Sequence, residues 1–129
     1  MLRCAGEPAK VSLCHCHECQ KRTGSAFSIA AFFPRARVEL PLAEAKLYRR
    51  GSASGFAVAF HFCPDCGTSL WWEPDRLPDL IGVAAGAFAD GDFPMPDQAV
   101  WDSEKHHWLD LPEAIPSHPR NPEGARQRD

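Results

Sequence analysis

Twelve prolines and nine glycines are scattered through the 129 residues, and they leave this chain little room for long helices. Proline inside a helix removes a backbone hydrogen bond and clashes with the preceding turn, and glycine there carries an entropic cost. No window sustains an apolar pattern of helical period. Between the breakers lie short strand-like runs, at residues 11–14, 28–33, 45–49, 56–62, 69–73 and 80–85. The clearest reads Phe56-Ala57-Val58-Ala59-Phe60-His61-Phe62, whose even positions are large and apolar. Those four side chains are expected to face one core, with smaller or polar residues opposite. One short helix fits residues 17–22, ended by Thr23-Gly24-Ser25.

These signals predict one all-β domain over residues 1–115. From Pro116 the chain runs Pro-Ser-His-Pro-Arg-Asn-Pro-Glu-Gly-Ala-Arg-Gln-Arg-Asp, which lacks apolar content, so residues 116–129 are expected to form a disordered tail. No internal repeat is present.

Hydrophobic residues make up 44% and charged residues 24% of the chain, the balance of a globular protein. A net charge of −3 offers no general attraction for phosphate backbones or anionic membranes, so neither nucleic acid nor a membrane is an expected partner. No run approaches the roughly 20 apolar residues of a membrane span, and the first residues do not read as a secretory signal. The expected compartment is the cytoplasm.

Six cysteines in such a chain require an explanation, because cytosolic thiols are mostly kept reduced. They are clustered: Cys14, Cys16 and Cys19, then Cys63 and Cys66, with Cys4 apart. Spacings of one or two residues suit a metal ion better than a disulfide scaffold. In Cys14-His15-Cys16-His17-Glu18-Cys19 a strand end followed by a turn can point three sulfurs at one zinc ion, at Zn–S distances near ~2.3 Å. Three protein ligands leave a fourth position for water or a substrate thiol, as in catalytic zinc. The plainer readings are a structural site completed by a distant fourth ligand, or free reduced thiols.

Cys63-Pro64-Asp65-Cys66-Gly67 has the form of a zinc knuckle, half of a four-cysteine structural site. A redox pair is the competitor, but that motif opens a helix, and the following Thr68-Ser69-Leu70-Trp71-Trp72 reads as a strand. Only Cys4 remains unassigned. Either Cys4 with His61 or water completes this site, or the site is incomplete.

Other residues carry weaker signals. His15 and His17 flank the first cluster and can support its ligands or simply fill space. At most one of His106 and His107 approaches a site if they lie on a strand. Trp71, Trp72, Trp101 and Trp108 suit core or pocket wall. Lys21 and Arg22 can bind a carboxylate, although solvated surface charge is the ordinary role.

The run from Cys14 to Phe27, Cys-His-Cys-His-Glu-Cys-Gln-Lys-Arg-Thr-Gly-Ser-Ala-Phe, followed by Phe62-Cys63-Pro64-Asp65-Cys66-Gly67-Thr68 and later Gly86-Ala87-Phe88-Ala89-Asp90, resembles the glutathione-dependent formaldehyde-activating family, which includes the centromere protein V relatives. The resemblance covers residues 2–112, and a paired match is far more specific than a lone Cys-x-x-Cys. It implies a compact β-tent of small antiparallel sheets, a catalytic zinc on Cys14, Cys16 and Cys19, and a structural zinc that includes Cys63 and Cys66. It also implies carbon–sulfur chemistry joining formaldehyde to glutathione. Family members usually open with a Cys-x-Cys-Gly motif that completes the structural zinc, ahead of the equivalent of Leu2-Arg3-Cys4. This chain starts after that point, so Cys63 and Cys66 are expected to form a half-site, with Cys4 not a carried-over ligand.

Two functions are then in competition. One is a zinc-dependent carbon–sulfur lyase acting on a thiol–aldehyde adduct of the S-hydroxymethylglutathione type. The other is a non-catalytic zinc module that binds a protein partner. Only the enzyme needs an open zinc position beside a pocket that admits a peptide-like thiol.

Overall fold

The computed structural model describes residues 2–51 and 55–122. Among them the elements run β1 (Arg3–Cys4), β2 (Lys10–Cys14), α1 (His17–Thr23), β3 (Ser28–Pro34), β4 (Val38–Glu39), β5 (Lys46–Arg50), β6 (Val58–Phe62), β7 (Ser69–Pro74), β8 (Leu80–Ala84) and β9 (Gln98–Val100). Short 3-10 turns fill several connections. Seven strands form one sheet in the order β5-β6-β7-β8-β3-β2-β9, while β1 and β4 pair as a separate two-stranded sheet. Every neighbouring pair is antiparallel except β2 with β9. The chain is thus mostly strand, as its punctuation predicts. Each of the six expected runs contains a strand, with ends displaced by at most two residues.

Alternation along the strands divides the side chains between two faces. Ala31, Phe33, Trp71, Ile81 and Val83 form one buried cluster, against which Leu2, Cys4, Val38 and Leu40 pack from β1, β4 and their flanks. On the opposite face Ala30, Phe60 and Trp72 cluster with Phe32, Val58 and Ala84. The adjacent tryptophans therefore serve different layers. Trp71 is fully buried in the first, and Trp72 stands in the second beside Phe60, its cross-strand partner.

In β6 the expected alternation holds for Val58 and Phe60, which share a cluster, with the small Ala59 buried opposite. His61, also on that side, stacks on Trp71 with ring centroids 4.3 Å apart, and its Nε2 lies 3.1 Å from Glu73. The small β1–β4 sheet covers the core on this side, so both faces of the seven-stranded sheet carry packed side chains.

The first residues of the expected tail pair with the sheet. Pro116 accepts a hydrogen bond from the Ala99 N–H, and the His118 N–H donates back to Ala99. Arg120 accepts from Trp101 and places its guanidinium 4.6 Å from that ring centroid. This polar segment is held by backbone pairing to the sheet's edge strand, β9, a device that composition does not reveal. Residues 123–129 lie outside the described residues. Among the described residues, no helix is long and apolar enough to cross a membrane.

Candidate metal centre

Strand β2 ends at Cys14, which pairs with Ser28 of β3 and Val100 of β9. The His15 N–H continues the ladder by donating to Val100, and the chain then turns into α1. Cys16 is the N-cap of that helix: its extended backbone ends the strand, and its sulfur accepts a hydrogen bond from the Cys19 N–H at 3.4 Å. Cys19 follows in the first turn. Gly24 closes the helix with φ 66°, a left-handed conformation that a side chain would strain. Strand end, cap and first turn thus bring the three sulfurs together, all within 4.8 Å of one another.

The three thiols share their protons unequally. Hydrogen bonds from Cys14 and Cys16 draw Cys19 down to about 2, helped by Ser28 and the positive charge of Arg22, against the opposing effect of burial. Cys14, which donates to both other sulfurs and is buried, is pushed far up. Cys16 is lowered by the hydrogen bond from Cys14, but donation to Cys19 and burial leave it raised.

These residues fit a zinc ion. Zn–S bonds of ~2.3 Å in a tetrahedron require sulfurs roughly 3.8 Å apart, and three soft thiolate donors already lie within that range of adjustment. Cys14, Cys16 and Cys19 are the only group of three or more Cys, His, Asp or Glu side chains among the described residues placed to hold a metal.

The other expected ligands are placed differently. Cys63 and Cys66 sit on the turn between β6 and β7, where the Gly67 N–H donates to the Cys63 carbonyl at 2.7 Å. Cys66 is exposed, and its sulfur shares a 3.0 Å hydrogen bond with the Thr68 hydroxyl, which holds its thiol below the usual range. No third ligand among the described residues joins this pair. Cys4 is half-buried against the Trp71 cluster, where burial raises its thiol, and His61 is engaged with Trp71 and Glu73.

His15 is fully buried, with its ring edge-on to Phe27 and neither ring nitrogen partnered among the described residues. Burial keeps it neutral by lowering its pKa. His106 and His107 lie on a loop rather than a strand; His106 reaches Gln20, and Trp108 is 62% exposed instead of forming wall or core.

Sequence reasoning missed what anchors α1. Glu104 accepts from the His17 N–H at 2.7 Å, and the Gln20 side-chain amide donates to the His15 and Glu104 carbonyls. Glu104 lies more than eighty residues away, so no local signal could have shown its two contacts.

A cavity of about 480 Å³ is lined in part by Glu18, Lys21 and Arg22 of α1, the helix that carries Cys19, although none of the three cysteines lines it. Strand register places Cys14, Ser28, Ala30, Ala84, Gly82 and Trp72 on one face of the sheet, so cluster and cavity share that face. Phe60 and Trp72 form an aromatic wall, with Lys21 and Arg22 from α1 and Arg50 from β5 around it. The Arg22 guanidinium lies 4.4 Å from the Trp72 ring centroid and 4.8 Å from that of Phe60, and Arg50 lies 4.9 Å from Phe60. Glu18 is the one acidic lining residue, 3.1 Å from Lys21 and 3.9 Å from Arg50. Three cations against one anion make this cavity positive in a chain of net charge −3.

Fold and site together define a small β-sheet protein with three convergent cysteines on a strand-to-helix turn and a cationic, aromatic pocket. The chain belongs to the family described as glutathione-dependent formaldehyde-activating enzyme, whose model matches residues 1–104. It is also similar in fold to a solved Rhodobacter sphaeroides protein, with a TM-score of 0.52 and 22% identity over 72% of this chain and 80% of the other. No protein of curated function matches its sequence.

Proposed function

We propose that this protein is a zinc-dependent carbon–sulfur lyase that makes and breaks adducts between a small anionic thiol and an aldehyde, with glutathione and formaldehyde as the pair its family suggests. The observation that carries the reading is the shared placement of three convergent cysteine sulfurs and a positive cavity on one sheet face, bridged by α1.

Cys14, Cys16 and Cys19 would hold the zinc ion and leave room for one further ligand. Zinc bound there supplies stabilisation of a substrate thiolate at neutral pH and polarisation of a carbonyl oxygen. The chain's own contribution is positioning. Arg22 and Arg50 are placed to receive carboxylates, and the Phe60–Trp72 wall takes the apolar body of the thiol. In the addition direction the thiolate sulfur bonds to the aldehyde carbon and the carbonyl oxygen takes a proton; cleavage is the reverse. Holding the two reactants together accounts for much of the acceleration that such an addition needs.

The test is exchange spectroscopy on glutathione and formaldehyde at equilibrium, with zinc content measured in the same samples. Acceleration of exchange by the zinc-loaded protein, lost in Cys16→Ser, is the expected result. Zinc binding with no acceleration for any thiol–aldehyde pair would favour the non-catalytic module.

A further inference from the structure

We propose that the positive cavity holds two unlike carboxylate subsites. Arg22 supplies one, and Arg50 with Lys21 supplies the other, which the chain's own Glu18 fills until a ligand carboxylate displaces it. The proposal rests on the anionic-thiol reading above and assigns a role to the one acidic residue lining that site.

The two arginines are fixed in similar ways but neutralised differently. Arg22 lies 4.4 Å from the Trp72 ring centroid and 4.8 Å from that of Phe60, with its Nη1 3.5 Å from the Ser69 hydroxyl. No carboxylate among the described residues forms an ion pair with it. The rings hold the guanidinium in place but supply no counter-ion, so an incoming carboxylate meets no competitor there.

Arg50 lies 4.9 Å from the Phe60 centroid and donates from Nη1 to the Gly51 carbonyl at 2.9 Å, and its side chain is only 15% exposed. Glu18 faces it from α1. One Glu18 carboxylate oxygen lies 3.9 Å from Arg50 Nε, and the other lies 3.1 Å from Lys21 Nζ. A single carboxylate thus bridges two cavity cations, as a ligand carboxylate received there would.

Glu18 is loosely held: its side chain is 48% exposed, and 3.9 Å is longer than a hydrogen bond. Ion pairs this exposed contribute little net stability, so its exchange for another carboxylate costs little. A free small anion gains nothing over Glu18, which is tethered beside the cations. A ligand already anchored at Arg22 presents its second carboxylate at high effective concentration and competes with Glu18 on equal terms. Glu18 is thereby a specificity residue. It keeps simple anions off Arg50 and Lys21 and yields to a thiol that carries two carboxylates.

The experiment compares the zinc-loaded wild-type protein with Glu18→Gln by calorimetry. The probes are S-methylglutathione, with two carboxylates and no reactive thiol, and its glycine ethyl ester, with one carboxylate. Glu18→Gln should bind S-methylglutathione about fivefold more tightly than wild type, the gain from removing an exposed competing charge. The monoester should change by less than about twofold, because its carboxylate is received at Arg22 and feels Glu18 only through a screened field. Equal gains for both ligands would reduce Glu18 to a general field effect and overturn the proposal, as would no gain for either. Binding of neither ligand to either protein would overturn it together with the anionic-thiol reading. No result depends on exchange activity at the three-cysteine centre.

Discussion

Gly82 lies directly opposite Trp72 in the β7–β8 ladder, and the indole occupies the space a side chain at position 82 would need. A Cβ there would meet the indole Nε1 at 2.5 Å and Cδ1 at 2.9 Å. The indole in turn carries the Arg22 guanidinium, so a missing side chain on β8 determines where a pocket cation rests.

Gly82→Ala should therefore act on stability and on binding together. Displacing a packed indole costs about 1–3 kcal/mol, read as a lower midpoint in denaturant unfolding. Affinity for an anionic thiol, measured by calorimetry, should fall as well, while zinc content stays unchanged.

Cys16→Ser separates the metal from the helix. Serine is a good N-cap and can accept from the Cys19 N–H as the sulfur does. Zinc should be lost and thiol–aldehyde exchange abolished, with the strand signal in circular dichroism retained. Global unfolding of this variant would mark the cluster as structural.

Arg50→Gln should weaken binding of a carboxylate-bearing thiol about tenfold, or ~1.4 kcal/mol, in line with losing one charge-assisted hydrogen bond. The zinc-bound protein should keep its maximal exchange rate. A drop in that rate at saturating thiol would place Arg50 in the chemistry instead.

Glu73 gives the protein an acid-sensitive tie. Burial raises its carboxyl, but the Arg35 guanidinium at 2.8 Å outweighs it and leaves the group below its ordinary 4.5. A depressed carboxylate contributes stability above that ordinary value and loses it as pH falls through the lower folded value. Wild-type stability should fall as pH drops below about 4.5, and Glu73→Gln should show a flatter acid limb in unfolding curves taken across that window.

Cutting the chain after Ile115 should lower the melting temperature, because the Ala99 N–H loses the Pro116 carbonyl and the Trp101 N–H loses the Arg120 carbonyl. Removing only residues 123–129 tests whether the effect comes from the paired segment. A melting temperature lowered equally by the shorter deletion would take the effect away from the paired segment.

What the sequence made legible was local. Alternation in Phe56–Phe62 and the run Thr68-Ser69-Leu70-Trp71-Trp72 beyond the turn signalled strands, in which one residue's step exchanges the faces of a sheet. Close cysteine spacing and Gly24 likewise signalled the convergence of three sulfurs and the end of α1. The rest depends on pairing between distant segments. β1 and β4 are two residues each and have no pattern of their own; they pair through the register of Arg3 with Glu39 and Cys4 with Val38. β9 finds β2 across more than eighty residues, as Ser12 opposite Gln98 shows. Arg50 faces the pocket only because β5 pairs with β6, a relation absent from the charge pattern around it.

Helix α1 is only seven residues long, yet it carries Cys19 on the metal side and Arg22 on the pocket side, with Cys16 at its cap. One rigid element thus belongs to two equilibria. If occupancy of either site orders this helix, thermodynamic reciprocity requires zinc to tighten the anionic thiol by the same factor as the thiol tightens zinc. Two isotherms, one for each ligand at fixed concentrations of the other, measure a single coupling constant, and chelation becomes a means of releasing substrate as well as metal.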